Sequence, residues 1–320
     1  MSDVIGLVLP FFGLIFMGFM VARITRQPVE ALGWMNTFIV YVALPALFFQ
    51  LLVKTPFERL TEWGFILGSV LSTYIVFSVM FGASLLLSRG GIAEATIKGL
   101  ASAYGNIGYM GPGLALMAFG EEAAVPVALI FCFENIIHFA VAPMMMALSG
   151  GGLRNPGALA LDVLKKIVFH PFIIATALGV CGAYFQFTSP MPVERFLDYL
   201  ARAAAPCALF AMGVTLALRP LKRVPVELAP IATLKLVAHP LLCYVVLSWI
   251  GNFSEPWMFS AMLLAALPTA TNVFVIAQQY GVWVERASAS ILLTTVISVG
   301  TLTALLYAVT SGMLPPDLFP

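Results

Sequence analysis

"YGNIGYMGPGLALMAFG" (104–120) decides how the chain must be read. It holds five glycines and a proline in a stretch without a charge. Its hydropathy asks for a buried helix. Its Gly and Pro content opposes one, since Gly costs about 1 kcal/mol and Pro about 3 kcal/mol relative to Ala in a helix interior. The stretch predicts a helix interrupted where an interruption is expensive.

The surroundings explain why it is expensive. The 320 residues are 61% hydrophobic and 10% charged, with a mean hydropathy of +1.00, whereas soluble domains are about 25% charged. Long apolar runs in lipid, not one water-soluble core, set the architecture. The net charge is +1 and there is no basic tail, so no nucleic-acid partner is expected. Cys132, Cys181, Cys207 and Cys243 are scattered singly and read as small core residues, neither disulfides nor metal ligands. Only Asp3 precedes the first apolar run, and Arg23 and Arg26 follow it. That order is the reverse of a secretory signal and predicts a retained span with its N-terminus outside.

The expected fold is all-α and integral to the membrane. Ten spans are read at 4–22, 35–53, 64–87, 96–119, 123–148, 164–186, 199–218, 229–250, 257–279 and 287–309, each long enough to cross about 30 Å of hydrocarbon. Connections after the odd-numbered spans carry Arg23, Arg26, Arg89, Lys98, Arg154, Lys165, Lys166, Arg219, Lys222, Arg223 and Arg286; those on the other side carry Lys54, Arg59, Arg195 and Arg202. The positive-inside rule places the first group in the cytoplasm. Both termini then lie outside the cytoplasm, in a multi-pass cell (inner or plasma) membrane protein.

The Gly-rich connection "SGGGLRNPGALA" (149–160) divides the chain into residues 1–160 and 161–320, five spans each. Shifted by 161, Pro10-Phe11 falls on Pro171-Phe172, Gly18 on Gly179, Ala43 on Ala204, Pro45 on Pro206, Phe49 on Phe210 and Gly120 on Gly281. An odd number of spans per copy inverts the second copy, the arrangement common in secondary transporters. Accidental matching of apolar, Pro-rich sequence is the plainer alternative.

The fourth span, which holds the opening stretch, has the ninth, "FSAMLLAALPTATNVFVIAQQYG" (259–281), as its counterpart. Both are broken near mid-span. Pro112 is expected to free the carbonyl of Gly108, and Pro268 that of Leu264. Helices restarting at Pro112 and Pro268 would offer N–H groups and a positive dipole end to a carboxylate, while freed carbonyls would suit a cation. Unpaired backbone at this depth is tolerated only against protein or a water-filled cavity. The candidate substrate-binding residues are Asn106, Gly108, Gly111, Pro112, Pro268, Thr269, Thr271 and Asn272; the amides and hydroxyls supply donors and acceptors without a fixed charge. A simple kink is the alternative for either helix alone.

"GNIGYMGPGLALMAFG", "LPTATNVFVIAQQYGVWVERASASILLTTVIS" and "VALPALFFQLL" (42–52) resemble the broken-helix and second-span motifs of the auxin efflux carrier family, which includes plant PIN-type carriers and bacterial carriers of malonate and related organic acids. The likeness follows span order over essentially the whole chain. One departure is the direct Gly111-Pro112-Gly113 sequence, where the family usually has a residue between glycine and proline. The resemblance implies a fold like that of the bile acid sodium symporters. It implies a scaffold from spans 4–53 and 164–218, and a transport domain from spans 64–148 and 229–309 in which helices 4 and 9 cross. Substrate would sit at that crossing, the transport domain would move as an elevator, and the scaffold would mediate a homodimer, as in the plant carriers.

In "FCFENIIHF", Glu134 and His138 share a helix face with Asn135 beside them. An intramembrane carboxylate is a functional candidate by default: Glu134 could carry a coupling proton or bind a cation with His138 as partner, or the group could be a structural interhelical bond. Lys235 could snorkel to the interface, pair with Glu134 or stand in for Na⁺. His239 reads as a packed histidine. Glu134, Asn135, His138 and Lys235 are the ion-coupling candidates, with Na⁺ or H⁺ as coupling ion and neither a cofactor nor a bound metal required.

Secondary transport of small organic anions, malonate-like or monocarboxylic, follows as the leading function, with export of auxin-like aromatic carboxylates as the alternative within it. A membrane-embedded enzyme would need a nucleophile with its base, a metal cluster or paired acids, and no such motif is present. A ligand sensor or a channel is the remaining class.

Overall fold

The computed structural model describes residues 2–26, 28–87, 90–149, 157, 161, 164, 165, 168–218 and 227–319. Arg89, Arg154, Lys166, Arg219, Lys222 and Arg223 of the charge count, and nearly all of the 149–160 connection, lie outside them. The described chain is helical, with one isolated bridge in place of sheet. The principal helices are α1 (Ser2–Thr25), α2 (Gly33–Val53), α3 (Trp63–Leu87), α4 (Gly91–Ala103), α5 (Gly111–Phe119), α6 (Ala124–Leu148), α7 (Pro171–Tyr184), α8 (Met191–Leu218), α9 (Leu228–Ile250), α10 (Glu255–Ala266), α11 (Thr271–Tyr280) and α12 (Val284–Thr310). Among the described residues, six helical stretches are long and apolar enough to cross a membrane, and Leu9–Thr25 and Pro171–Tyr184 are shorter apolar helices.

Two helices start earlier than hydropathy predicts. α8 begins at Met191, not 199, and its added turns carry Glu194, Arg195 and Asp198, the last paired i,i+4 with Arg202 at 2.8 Å. α4 begins at Gly91, not 96, and includes the pair Glu94–Lys98 at 2.6 Å. Charge lowers hydropathy without opposing helix, because such pairs support it.

α2 and α9 share a local device. Each contains a five-residue π turn, Ile39–Ala43 in α2 and Leu234–Ala238 in α9. The Leu44 N–H reaches the Ile39 carbonyl, and the His239 N–H reaches that of Leu234. A proline follows each turn at the same spacing, Pro45 and Pro240. Proline cannot donate to the carbonyl four residues back and crowds it; widening the preceding turn relieves the clash. Such turns often accompany functional sites, and this one contains Lys235.

By contact the chain forms two compact units: Met1–Trp63, Gly108–Cys132 and Val168–Pro220 make unit 1, and Gly64–Ile107, Phe133–Ile167 and Leu221–Pro320 make unit 2. In unit 1, α1 lies against α8 and α2 against α7 with almost nothing between backbones. A Cβ on Gly18 would stand 2.2 Å from the Phe210 carbonyl oxygen, and one on Gly213 1.9 Å from that of Ile15. On the other pair, a Cβ on Gly179 would stand 2.8 Å from Leu52 Cβ and 3.4 Å from the Phe49 oxygen. Only glycine permits such approach. Phe48, Phe131 and Phe172 of the same unit meet ring to ring, edge-on or tilted.

Unit 2 has its own core, in which Val76, Phe77, Ile97, Leu100, Leu228, Ile231 and Val273 are buried together. Tyr104 joins the same cluster, which brings the end of α4 against the start of α11.

Candidate functional site

Directly after α4, and again between α10 and α11, the backbone leaves the helix and becomes extended. Tyr104 has ψ 100°, Leu267 ψ 149° and Ala270 ψ 144°. Leu267 precedes Pro268, and a residue before proline is driven out of the helical region. Within unit 2 the two extended segments run antiparallel. Gly105 and Thr269 form a bridge; the Asn106 N–H donates to the Pro268 carbonyl at 2.8 Å and the Ala270 N–H to the Tyr104 carbonyl at 2.9 Å. Thr269 is pinned on both sides: its Oγ1 donates to the Ala101 carbonyl at 2.7 Å, and its N–H to Thr294 Oγ1 at 3.1 Å. Backbone groups released by one helix end are thus satisfied by the other, as buried main-chain groups require.

Two side-chain groups flank this crossing. The Tyr104 hydroxyl donates to Asn135 Oδ1 and accepts from Asn272 Nδ2 at 2.8 Å. Its ring stacks on His138 at 4.0 Å between centroids, and His138 Nδ1 is 2.9 Å from the Tyr74 hydroxyl. On the other side, the Lys235 ammonium donates to the Ala265 carbonyl and lies 3.1 Å from His239 Nδ1. His239 Nε2 is 3.0 Å from Thr73 Oγ1, which is 2.7 Å from Glu134 Oε1. All of these side chains except Asn272 and Tyr74 are buried.

The chain matches the family described as membrane transport protein over residues 3–306. It belongs to that family. A protein of Rhizobium meliloti (strain 1021) named "Putative malonate transporter" is 62% identical over 320 residues, covering all of both chains. An uncharacterized transporter of Escherichia coli (strain K12) is 25% identical over 90% of this chain and 91% of its own. Auxin efflux carrier component 8 of Arabidopsis thaliana is 22% identical over 93% of this chain and 95% of its own. The auxin efflux carrier resemblance therefore holds, and this member of the membrane transport family is a multi-pass transporter, not an enzyme.

The transporter's structure corrects several local expectations. The Leu264 carbonyl is not freed, because the Leu267 N–H donates to it at 3.3 Å. The helix after Pro268 starts at Thr271: residues 268–270 are spent on the crossing. Lys235 does not snorkel, being 0% exposed; the π turn and the Ala265 carbonyl hold it inside. His138 pairs with Tyr74 rather than Glu134, and its Nε2 has no hydrogen-bond partner among the described residues. His239 is more than a packed histidine, since it bonds on both ring nitrogens.

Asn106, Pro268, Thr269, Thr271, Asn272, Glu134, Asn135, His138 and Lys235 all fall in unit 2, whereas Gly108, Gly111 and Pro112 fall in unit 1. There Gly108 abuts Phe131, and Pro112 occupies the first turn of α5, where its missing N–H costs nothing. Thr271 and Asn272 open α11, half-buried. Sequence reasoning missed Thr73, Tyr74, Tyr104 and His239. Tyr104 opened the decisive stretch and His239 precedes a proline, which were usable signals. Thr73 carries none, for a threonine in an apolar helix is ordinary.

Proposed function

We propose that this transporter is a secondary carrier of small organic anions, malonate-like or monocarboxylic, which bind at the crossing of residues 104–106 and 268–270. The observation that carries the reading is that crossing: two helix interruptions, mutually hydrogen-bonded, with the Asn106 and Asn272 positions and the Lys235 ammonium around them. A buried cation and amide donors attract a carboxylate without a full ion pair. The printed name of the 62% identical relative supports malonate. Lys235 donates to the Ala265 carbonyl at the end of α10, which supports a protein-borne cation there and H⁺ over Na⁺ as coupling ion.

In this reading the chain has ten spans in a 5+5 inverted repeat, with the fourth (α4–α5) and ninth (α10–α11) broken and crossing. The glycine contacts support it. Gly18 meets Phe210, and Gly179 meets Phe49; adding 161 to Gly18 and Phe49 gives Gly179 and Phe210. The same contact is made twice with the copies exchanged. Unit 1 would act as a scaffold and homodimer platform and unit 2 as the moving elevator domain; residues 108–132 group by contact with unit 1. Both termini would lie outside the cytoplasm, in the cell membrane.

Uptake of labelled malonate into liposomes holding the purified chain tests this. Uptake driven by an imposed proton gradient is the expected result. Absence of malonate uptake, with indole or monocarboxylic acids moved instead, would transfer the reading to auxin-like substrates.

A further inference from the structure

We propose that Thr73 and His239 form a proton relay between Lys235 and Glu134, which switches the positive charge beneath the crossing on and off. What the charge acts upon rests on the anion-carrier reading; the relay itself does not.

The four side chains are contiguous and buried: Lys235 and Thr73 are 0% exposed, His239 2% and Glu134 5%. Lys235 Nζ to His239 Nδ1 is 3.1 Å, His239 Nε2 to Thr73 Oγ1 3.0 Å, and Thr73 Oγ1 to Glu134 Oε1 2.7 Å. Donor inventory fixes the directions. An ammonium only donates, so His239 Nδ1 accepts. Its ring proton is then on Nε2 and donates to Thr73. The one Thr73 proton goes to Glu134, its shortest contact, and not to the Ser69 carbonyl at 3.1 Å.

This chain can invert. The Lys235 proton moves to His239 Nδ1, the Nε2 proton to Thr73 Oγ1, and the Thr73 proton to Glu134 Oε1. Lys235 becomes a neutral amine, Glu134 a carboxylic acid, and His239 stays neutral as its other tautomer. No co-reactant is consumed and net charge is conserved. Each contact survives with donor and acceptor exchanged, and the amine still donates to the Ala265 carbonyl. The neutral form escapes the desolvation cost of two buried ions; an anion arriving at the crossing restores the ammonium. Tyr74 of α3, Tyr104 at the end of α4, His138 of α6 and Cys243 of α9 are the other titratable side chains around the four.

A static buried network would keep its charges fixed. Infrared difference spectroscopy of the purified full chain, with and without malonate, separates the two cases. A protonated-carboxyl band is expected in the wild type, diminished by malonate and absent in Glu134→Gln. It should also be absent in Lys235→Arg, because arginine does not surrender its proton. Thr73→Val should transport malonate at least about tenfold more slowly, with Thr73→Ser restoring the rate. If Thr73→Val does not fold, His239→Gln interrupts the same path. The relay is overturned by a wild type without the band in both conditions, by a band that survives Lys235→Arg, or by wild-type rates in Thr73→Val or His239→Gln. Failure of the wild type to bind malonate in calorimetry removes the substrate reading, while the carboxyl band and its loss in Lys235→Arg still decide the relay.

Discussion

Gly105 and Lys235 sit so close that a Cβ on the glycine would stand 3.3 Å from the ammonium nitrogen and 3.0 Å from the Leu264 carbonyl oxygen. The bridge from Gly105 to Thr269 keeps the backbone from moving aside. Gly105→Ala is therefore expected to displace the ammonium at an overpacking cost of about 1–3 kcal/mol. Malonate affinity should fall while the purified protein still elutes as a single species; calorimetry and gel filtration report the two effects.

Tyr104→Phe deletes the hydroxyl that joins Asn135 to Asn272 and keeps the ring that stacks on His138. Asn135 is left buried with one partner fewer, at a cost of about 1–3 kcal/mol. The expected outcome is weaker malonate binding and a lower Tm, measured on the same preparation, with Asn272→Ala reproducing the binding defect.

Glycine position determines tolerance in the helices. Gly18→Ala would drive a methyl into the Phe210 carbonyl, whereas a Cβ on Gly300 meets nothing within 4 Å. Thermal unfolding in detergent should show a Tm loss for Gly18→Ala, consistent with about 1–3 kcal/mol or more of strain, and none of that size for Gly300→Ala.

Pro240→Ala returns an N–H to α9 and removes the crowding that keeps the π turn open. If that turn closes to an ordinary helix, one residue of register is lost and Lys235 swings by about 100°. Circular dichroism should be unchanged and malonate uptake strongly reduced. Uptake at the wild-type rate would mean that the turn persists without its proline.

The all-helical fold and the membrane setting were legible in the sequence, because a mean hydropathy of +1.00 leaves few alternatives. Helix starts were misjudged where ion pairs such as Asp198–Arg202 reduce hydropathy while supporting helix. Pro112 and Pro268 stand beside the two non-helical stretches, but neither signals that the chain after Pro268 stays extended to Ala270 and bonds across to Tyr104. Such pairing joins residues far apart in the chain and has no local signature. Glu134 and Lys235 stood out because charge is rare in lipid. Of the groups between them, His239 lies one helical turn after Lys235 on α9, whereas Thr73 comes from α3 and is brought to them only by the folded arrangement.

The contacts at Gly18 and Gly213 have a consequence for unit 1. Main-chain atoms meet there, and main-chain atoms have no rotamers through which to adjust. The α1–α8 pair therefore has little room to accommodate change by shifting side chains at these two positions. Heat, a thinner bilayer or a change of detergent can loosen side-chain packing elsewhere by degrees. Where backbone meets backbone, as here, that route is closed, so the stiffness of the pair is written into its main chain.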